Sequence, residues 1–207
     1  MNERQGKAMN EIETERLWLR LFRPDDLDEL ALIFSDAEVV KHIGSGRPAS
    51  REETEVALHS IINHWERHGF GRWAAICKQS RRLIGYCGLR SFHGVPELVY
   101  LLVRDCWGLG LATEMAWASL KFGFIERKFD HIVAMAKLAN LASQHVMKKV
   151  GMRFEGNAVI CDMEVACYSI SRQSYLSGSN IPELARGDSL IISEAQAEQS
   201  SLLIPAT

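Results

Sequence analysis

The segment Leu98-Val99-Tyr100-Leu101-Leu102-Val103, closed by Arg104-Asp105 and followed by Cys106-Trp107-Gly108-Leu109-Gly110-Leu111-Ala112-Thr113-Glu114, constrains this chain more than any other. Leu98 to Val103 reads as a buried strand, and helical spacing begins directly after the glycines, with Met115, Leu120 and Phe122 apolar. A strand that empties through a Gly-x-Gly loop into a helix leaves backbone N–H groups pointing outward. The helix dipole adds about half a positive charge there. Glycine lets the backbone approach a ligand closely, so the loop reads as a cradle for a phosphorylated molecule. Taken alone, such a turn also serves as a plain tight connection. Two familiar phosphate loops are excluded. No Lys-Ser or Lys-Thr follows the glycines, and Thr113 occupies the third glycine position of a dinucleotide fingerprint.

A second unit of the same kind lies downstream. His131 to Leu138 reads as a strand, and Asn140-Leu141-Ala142-Ser143-Gln144-His145-Val146-Met147-Lys148-Lys149-Val150-Gly151-Met152 follows it. Two strand–loop–helix units with polar residues at the strand end form a ligand-site architecture.

These residues carry a specific resemblance. Trp107-Gly108-Leu109-Gly110-Leu111-Ala112-Thr113-Glu114 resembles the acetyl-CoA pyrophosphate loop of the GNAT N-acetyltransferases, in the branch that includes the ribosomal-protein N-terminal acetyltransferases. Asn140-x-x-Ser143 with Lys149-Val150-Gly151-Met152 resembles the second cofactor motif of that branch. Glu15-Arg16-Leu17-Trp18-Leu19-Arg20 is similar to its first strand, and Arg23-Pro24-Asp25-Asp26 to the start of its first helix. The likeness runs from Thr14 to Tyr175 in the family's order and spacing.

Composition supplies the bounds. A chain of 207 residues with 47% apolar content can bury one substantial core. The expected layout is a flexible segment over 1–12, a GNAT domain over 13–176, and a flexible tail over 177–207. Lys plus Arg number 24 against 26 Asp plus Glu, which favours neither a nucleic-acid nor a membrane partner. No secretory h-region opens the chain, and no apolar run nears the roughly 20 residues that span a bilayer. Cys77, Cys87, Cys106, Cys161 and Cys167 form no CxxC pair, which points to reduced thiols, a cytoplasmic location and no metal site. Cys77 and Cys87 read as small buried residues within strands.

Along the chain, Leu17, Leu19 and Leu21 alternate as a strand, and Pro24 opens a helix carrying Leu27, Leu30, Ala31 and Phe34. Residues 43–49 read as a loop. Ser50 with Glu53 forms a capping box before a helix that Gly69 ends. Strands are expected at 73–77, 83–89 and 98–103, with turns at 79–82 and 93–96. A helix over 110–126, a strand over 131–138, a helix over 141–149 and strands near 153–160 and 163–172 follow. The fold class is α/β (α+β mixed): a central, mostly antiparallel sheet of about seven strands flanked by four helices. The resemblance implies that the strands ending at Val103 and Leu138 run parallel and splay apart.

The resemblance also implies the chemistry: acetyl transfer from acetyl-CoA to an amine, in a protein that is a monomer or homodimer. Cofactor contacts carry over to Leu102, Val103, Arg104, Trp107, Gly108, Leu109, Gly110, Leu111, Ala112, Thr113, Asn140 and Ser143. Oxyanion donors carry over to backbone N–H groups near Leu101-Leu102-Val103. Asn140 also suits a plain helix N-cap, and Ser143 a solvent-facing position. Ser143 and Glu97 are the catalytic candidates, Ser143 to assist the leaving thiolate and Glu97 as general base. Many superfamily members carry a tyrosine four residues beyond Ser143, where this chain has Met147. Glu97 also reads as a solvated turn residue after Pro96, and Asp162 and Glu164 are rival bases. His64 and His68, spaced i, i+4, read as a solvated face. The amine acceptor is not legible. A module that binds acyl-CoA without turnover is the alternative.

Overall fold

The computed structural model describes residues 11–178. The expectations for 1–10 and for 179–207 lie outside the described residues. In chain order the elements are β1 (Ile12–Glu13), β2 (Leu17–Leu21), a 3-10 turn (Pro24–Asp26), α1 (Leu27–Ser35), α2 (Ala37–Val40), α3 (Arg51–His68), β3 (Arg72–Cys77), β4 (Leu83–Phe92), β5 (Val95–Leu102), α4 (Leu111–Lys121), β6 (His131–Lys137), α5 (Leu141–Lys149), β7 (Arg153–Ile160), β8 (Met163–Ser171) and α6 (Arg172–Leu176).

Local signals set most of these boundaries. At α3, Ser50 Oγ accepts the Glu53 N–H at 3.2 Å and the Glu53 carboxylate accepts the Ser50 N–H at 2.8 Å. Gly69 ends the helix at φ 67°, a conformation that glycine adopts without a Cβ penalty. The strand count exceeds the expectation: the sheet has eight strands, because the two-residue β1 pairs with β2. The helix expected over 110–126 is α only to Lys121, and Phe122–Glu126 continues as a π-turn. The final strand stops at Ser171, where Ser171 caps the short α6. The turn expected at 93–96 is confined to His93 and Gly94, with Val95 and Pro96 inside β5. Pro96 faces Ser91 at a position that exchanges no ladder hydrogen bond with β4, so its missing N–H costs nothing there.

The sheet order is β1-β2-β3-β4-β5-β6-β8-β7, antiparallel except for β5 against β6. Its two faces carry separate cores. On the first face α4 and α5 pack Leu111, Met115, Leu120, Met147 and Val150 against Leu98, Leu102, Ile132, Ala134 and Tyr168. Met115 and Leu120 are fully buried, worth about 1.5–3 kcal/mol each. On the second face α1, α2 and α3 pack Leu30, Ile33, Val39 and Leu58 against Ala74, Ile76, Tyr86 and Leu101. That second core takes no residue from β6, β8 or β7. The pleat therefore turns Val133, Met135 and Lys137 to a side that those helices leave open.

Candidate functional site

β5 and β6 pair at one position, Glu97 opposite Val133, and then diverge toward Leu102 and Lys137. The expected splay is present. Its cause is topological: a parallel neighbour enters beside β5 after the α4 crossover, and the strands share only their starting ends. The ladder decides which main-chain groups face the gap. Val103 N–H donates to Ile84 O at 2.8 Å, and Leu102 stands opposite Gly85. Alternation in an antiparallel pair then turns the N–H and C=O of Leu102 away from β4 and into the gap. Of the three residues expected to hold oxyanion donors, Val103 spends its N–H on β4 and Leu102 keeps its own toward the opening. Trp107 Nε1 donates to Leu102 O at 2.8 Å, so the indole pins the end of β5.

The Gly-x-Gly loop follows. Gly108 and Gly110 lie at φ 74° and 79°, and α4 begins after Gly110 with no side-chain cap. A Cβ at Gly108 would meet nothing within 4 Å, and one at Gly110 only Arg16 Nη2 at 3.6 Å. The glycines are needed for their backbone angle, and the space over the loop is open. Arg16 clamps the loop from the β1–β2 connection. Its Nη1 donates to Leu109 O at 2.7 Å, its Nε to Glu114 Oε2 at 2.7 Å, and its backbone N–H to Glu114 Oε1 at 2.8 Å. Thr14 Oγ1 adds a bond to Glu114 Oε1 at 2.6 Å. Burial works against the Glu114 charge, but the Thr14 and Arg16 hydrogen bonds outweigh it and hold the carboxyl below its usual range. Sequence reasoning assigned Arg16 only to the first strand. Here it adds a cation beside the helix N-terminus.

α5 is closed where α4 is open. Asn140 Oδ1 accepts the Ser143 N–H at 3.1 Å, so the N-cap reading of Asn140 holds. Ser143 does not face solvent alone. The Tyr100 hydroxyl donates to Ser143 O at 2.9 Å and lies 2.9 Å from Ser143 Oγ. Burial pushes the Tyr100 phenol above its usual value, more than the Ser143 hydrogen bond draws it down, so it stays protonated. Tyr100 was missed as a site residue. The available signal was its place in β5, on the face shared by Leu98 and Leu102, which packs against α4 and α5. Met147 is 1% exposed and acts as a core anchor of α5.

Glu97 departs furthest from the turn reading. It sits inside β5, 3% exposed, and its carboxylate accepts Arg90 Nε–H. Asp162 and Glu164 are exposed at the β7–β8 hairpin, beyond the end of β6. His64 is not solvated either. Its Nε2 accepts the Ser91 N–H at 3.0 Å, so Nδ1 carries the proton and donates to Phe70 O at 2.8 Å. Cys87 is fully buried, which pushes its thiol up to about 12, whereas Cys77 is only half-buried. Among the described residues no group of three or more His, Cys, Asp or Glu is arranged to hold a metal ion. No described helix is long and apolar enough to cross a membrane.

A splayed parallel pair beside an uncapped Gly-x-Gly helix start is the geometry that comparison with known proteins addresses. A family model described as an acetyltransferase (GNAT) domain matches residues 16–153. The chain belongs to the GNAT acetyltransferases. Bacillus subtilis YkkB, named as uncharacterized, is 31% identical over 173 residues, spanning 81% of this chain and 98% of that protein. The Bacillus licheniformis protein named uncharacterized N-acetyltransferase p20 is 29% identical over 152 residues, 72% of this chain and 85% of its own length. The crystal structure of a GNAT-family acetyltransferase from Bacillus anthracis superposes with a TM-score of 0.70 at 27% identity, over 79% of this chain and 99% of that one. This GNAT member is an acyltransferase that uses acetyl-CoA as co-substrate and an amine as acceptor. The residues fit that co-substrate: an open loop with outward N–H groups suits a pyrophosphate, and the free edge of β5 suits an amide-bearing arm.

Proposed function

We propose that acetyl-CoA lies in the gap between β5 and β6 and that a primary amine attacks it directly from the second face of the sheet. Within the loop from Trp107 to Thr113 the pyrophosphate takes the N–H groups from Gly108 onward, since Trp107 N–H donates to Arg104 O at 3.0 Å, with Arg104 at the entrance. The pantetheine arm runs along Leu102 and Val103 and meets the side-chain amide of Asn140. Leu102 N–H donates to the acetyl oxygen as negative charge develops there. A backbone donor held by the sheet needs little reorganisation for that task. Ser143 lends its hydroxyl to the departing sulfur, and Tyr100 holds Ser143 in position.

An unperturbed primary amine is mostly protonated near neutral pH, so a base must take its proton. Glu97 is the buried carboxylate on the acceptor side. It lies about 13 Å along the strand from Leu101, so it acts through water and not by contact. The observation that carries the reading is the Tyr100–Ser143 hydrogen bond at 2.9 Å, made from the splayed strand to the first turn of α5.

Free-CoA release, followed with a thiol reagent, tests the proposal across four acceptor classes: N-terminal peptides, amino acids, polyamines and other aminated small molecules. Turnover with at least one class is expected. Tight acetyl-CoA binding with no release above background would identify a binding module instead. Glu97→Gln should lower kcat by roughly 10²–10⁴ and flatten the acidic limb of the rate profile, with acetyl-CoA affinity retained. Full activity with an unchanged acidic limb would remove Glu97 from the mechanism and move the test to Asp162.

A further inference from the structure

The second face of the sheet holds more cations than its own carboxylates answer. Strand register turns Arg72, Arg90, Glu97 and Lys137 to that face, and Glu97 is taken by Arg90. Arg72 makes no ion pair among the described residues and is only partly exposed. Its guanidinium lies 5.6 Å from the Tyr86 ring centroid. Burial pushes it below its usual pKa, which is what a guanidinium without a contacting carboxylate undergoes. Lys137 also has no ion pair among the described residues, and its Nζ stands 3.5 Å from where a Cβ of Gly46 would sit. Glu38, which like Lys137 acts on His42, is held by Lys41 at 2.7 Å.

Arg72 is placed to meet an acceptor. It stands opposite Gly88, and Gly88 stands opposite Val99 of β5. A Cβ at Gly88 would lie 2.2 Å from Gly71 O, so β3 and β4 approach too closely for any side chain there. No side chain of β4 therefore stands directly between Arg72 and the partly buried Val99, two residues below Leu101. Glu97, already bonded to Arg90, is the carboxylate that acts on Arg72 from a distance, so a partly covered guanidinium with no contacting carboxylate is left to gain from an anionic ligand.

We propose that the acceptor is a small primary amine bearing a carboxylate or phosphate a few bonds from its nitrogen, and that Arg72 receives that anion while the amine points to the β5–β6 gap. This assignment rests on the acetyl-transfer reading above. The cationic surroundings also favour the neutral form of the amine, the form that attacks.

The test uses the full chain with acetyl-CoA and matched acceptors: glycine against methylamine, phosphoethanolamine against ethylamine, and spermidine as a polycation. Anionic amines are expected to exceed their neutral partners in kcat/KM by roughly tenfold or more. Arg72→Gln should raise KM for the anionic acceptors by about the same factor, with Arg72→Lys intermediate and acetyl-CoA affinity retained. A neutral amine or spermidine used as well as the anionic ones would overturn the assignment. So would an Arg72→Gln protein of normal melting temperature that keeps the anionic preference. If Arg72→Gln does not fold, the matched panel on the unaltered protein and Arg72→Lys still decide. Silence from every amine would count against the acetyl-transfer reading, and this assignment would fall with it.

Discussion

α4 and α5 each follow a strand that ends at the same gap, yet α4 starts at Gly110 with no side-chain cap whereas Asn140 closes α5 by accepting the Ser143 N–H at 3.1 Å. The difference is chemical. A glycine start leaves N–H groups and the positive end of the dipole to a ligand. An asparagine start spends one of those donors internally and fixes the first turn, on which Ser143 stands. The same supersecondary unit thus yields the proposed anion site in one copy and a rigid mount in the other. Support differs in the same sense. Arg16 and Glu114 brace the open loop from the β1–β2 connection, while Tyr100 braces α5 from the splayed strand.

Substitutions at four positions can break or sharpen this contrast, beginning with the largest effect. Gly110→Asp puts a side chain at φ 79° and a negative charge where the phosphates are proposed to sit. Acetyl-CoA affinity should fall by on the order of 100-fold, measured by calorimetry on a protein with an unchanged circular dichroism spectrum. Unchanged affinity would end the claim that the α4 start is the anion site. Next come Ser143→Ala and Tyr100→Phe, which should each lower kcat by roughly 10–100-fold with little change in acetyl-CoA binding. If Tyr100 acts by holding Ser143, the double variant should be no slower than Ser143→Ala alone. Additive losses would instead give Tyr100 a role of its own. The smallest effect belongs to Asn140. Asn140→Ala should cost about 1 kcal/mol in denaturant unfolding, and Asn140→Asp, an equally good cap, almost none. The same carboxylate placed at the start of α4 should be far more damaging to binding. Equal tolerance of aspartate at both positions would erase the distinction drawn here.

Much of the local geometry on the proposed cofactor side was legible in the sequence because its determinants are local. Gly108 and Gly110, the capping role of Asn140 and the helix after each strand all follow from residues within one turn of one another. The acceptor side was not legible in the same way. Glu97 followed a proline and suggested a turn. What buries it is β5 extending back to Val95 and pairing with Arg90 of β4. His64 presented a polar helix position, and only the approach of Phe70 and Ser91 gives both ring nitrogens a partner.

The sequence by itself determined the family, the order of elements, and the two strand-to-helix units that flank the gap, since periodicity, glycine backbone freedom and capping chemistry act over a few residues. The tertiary structure decided which groups in those units meet. Tyr100 reaches Ser143 across 43 residues, and Arg16 holds Glu114 across 98. Ladder register alone gives the Val103 N–H to Ile84 and turns Leu102 to the opening. A side-chain period states which face a residue takes, but its partner depends on how distant strands align. That alignment is set by the packing of the whole sheet between its two cores.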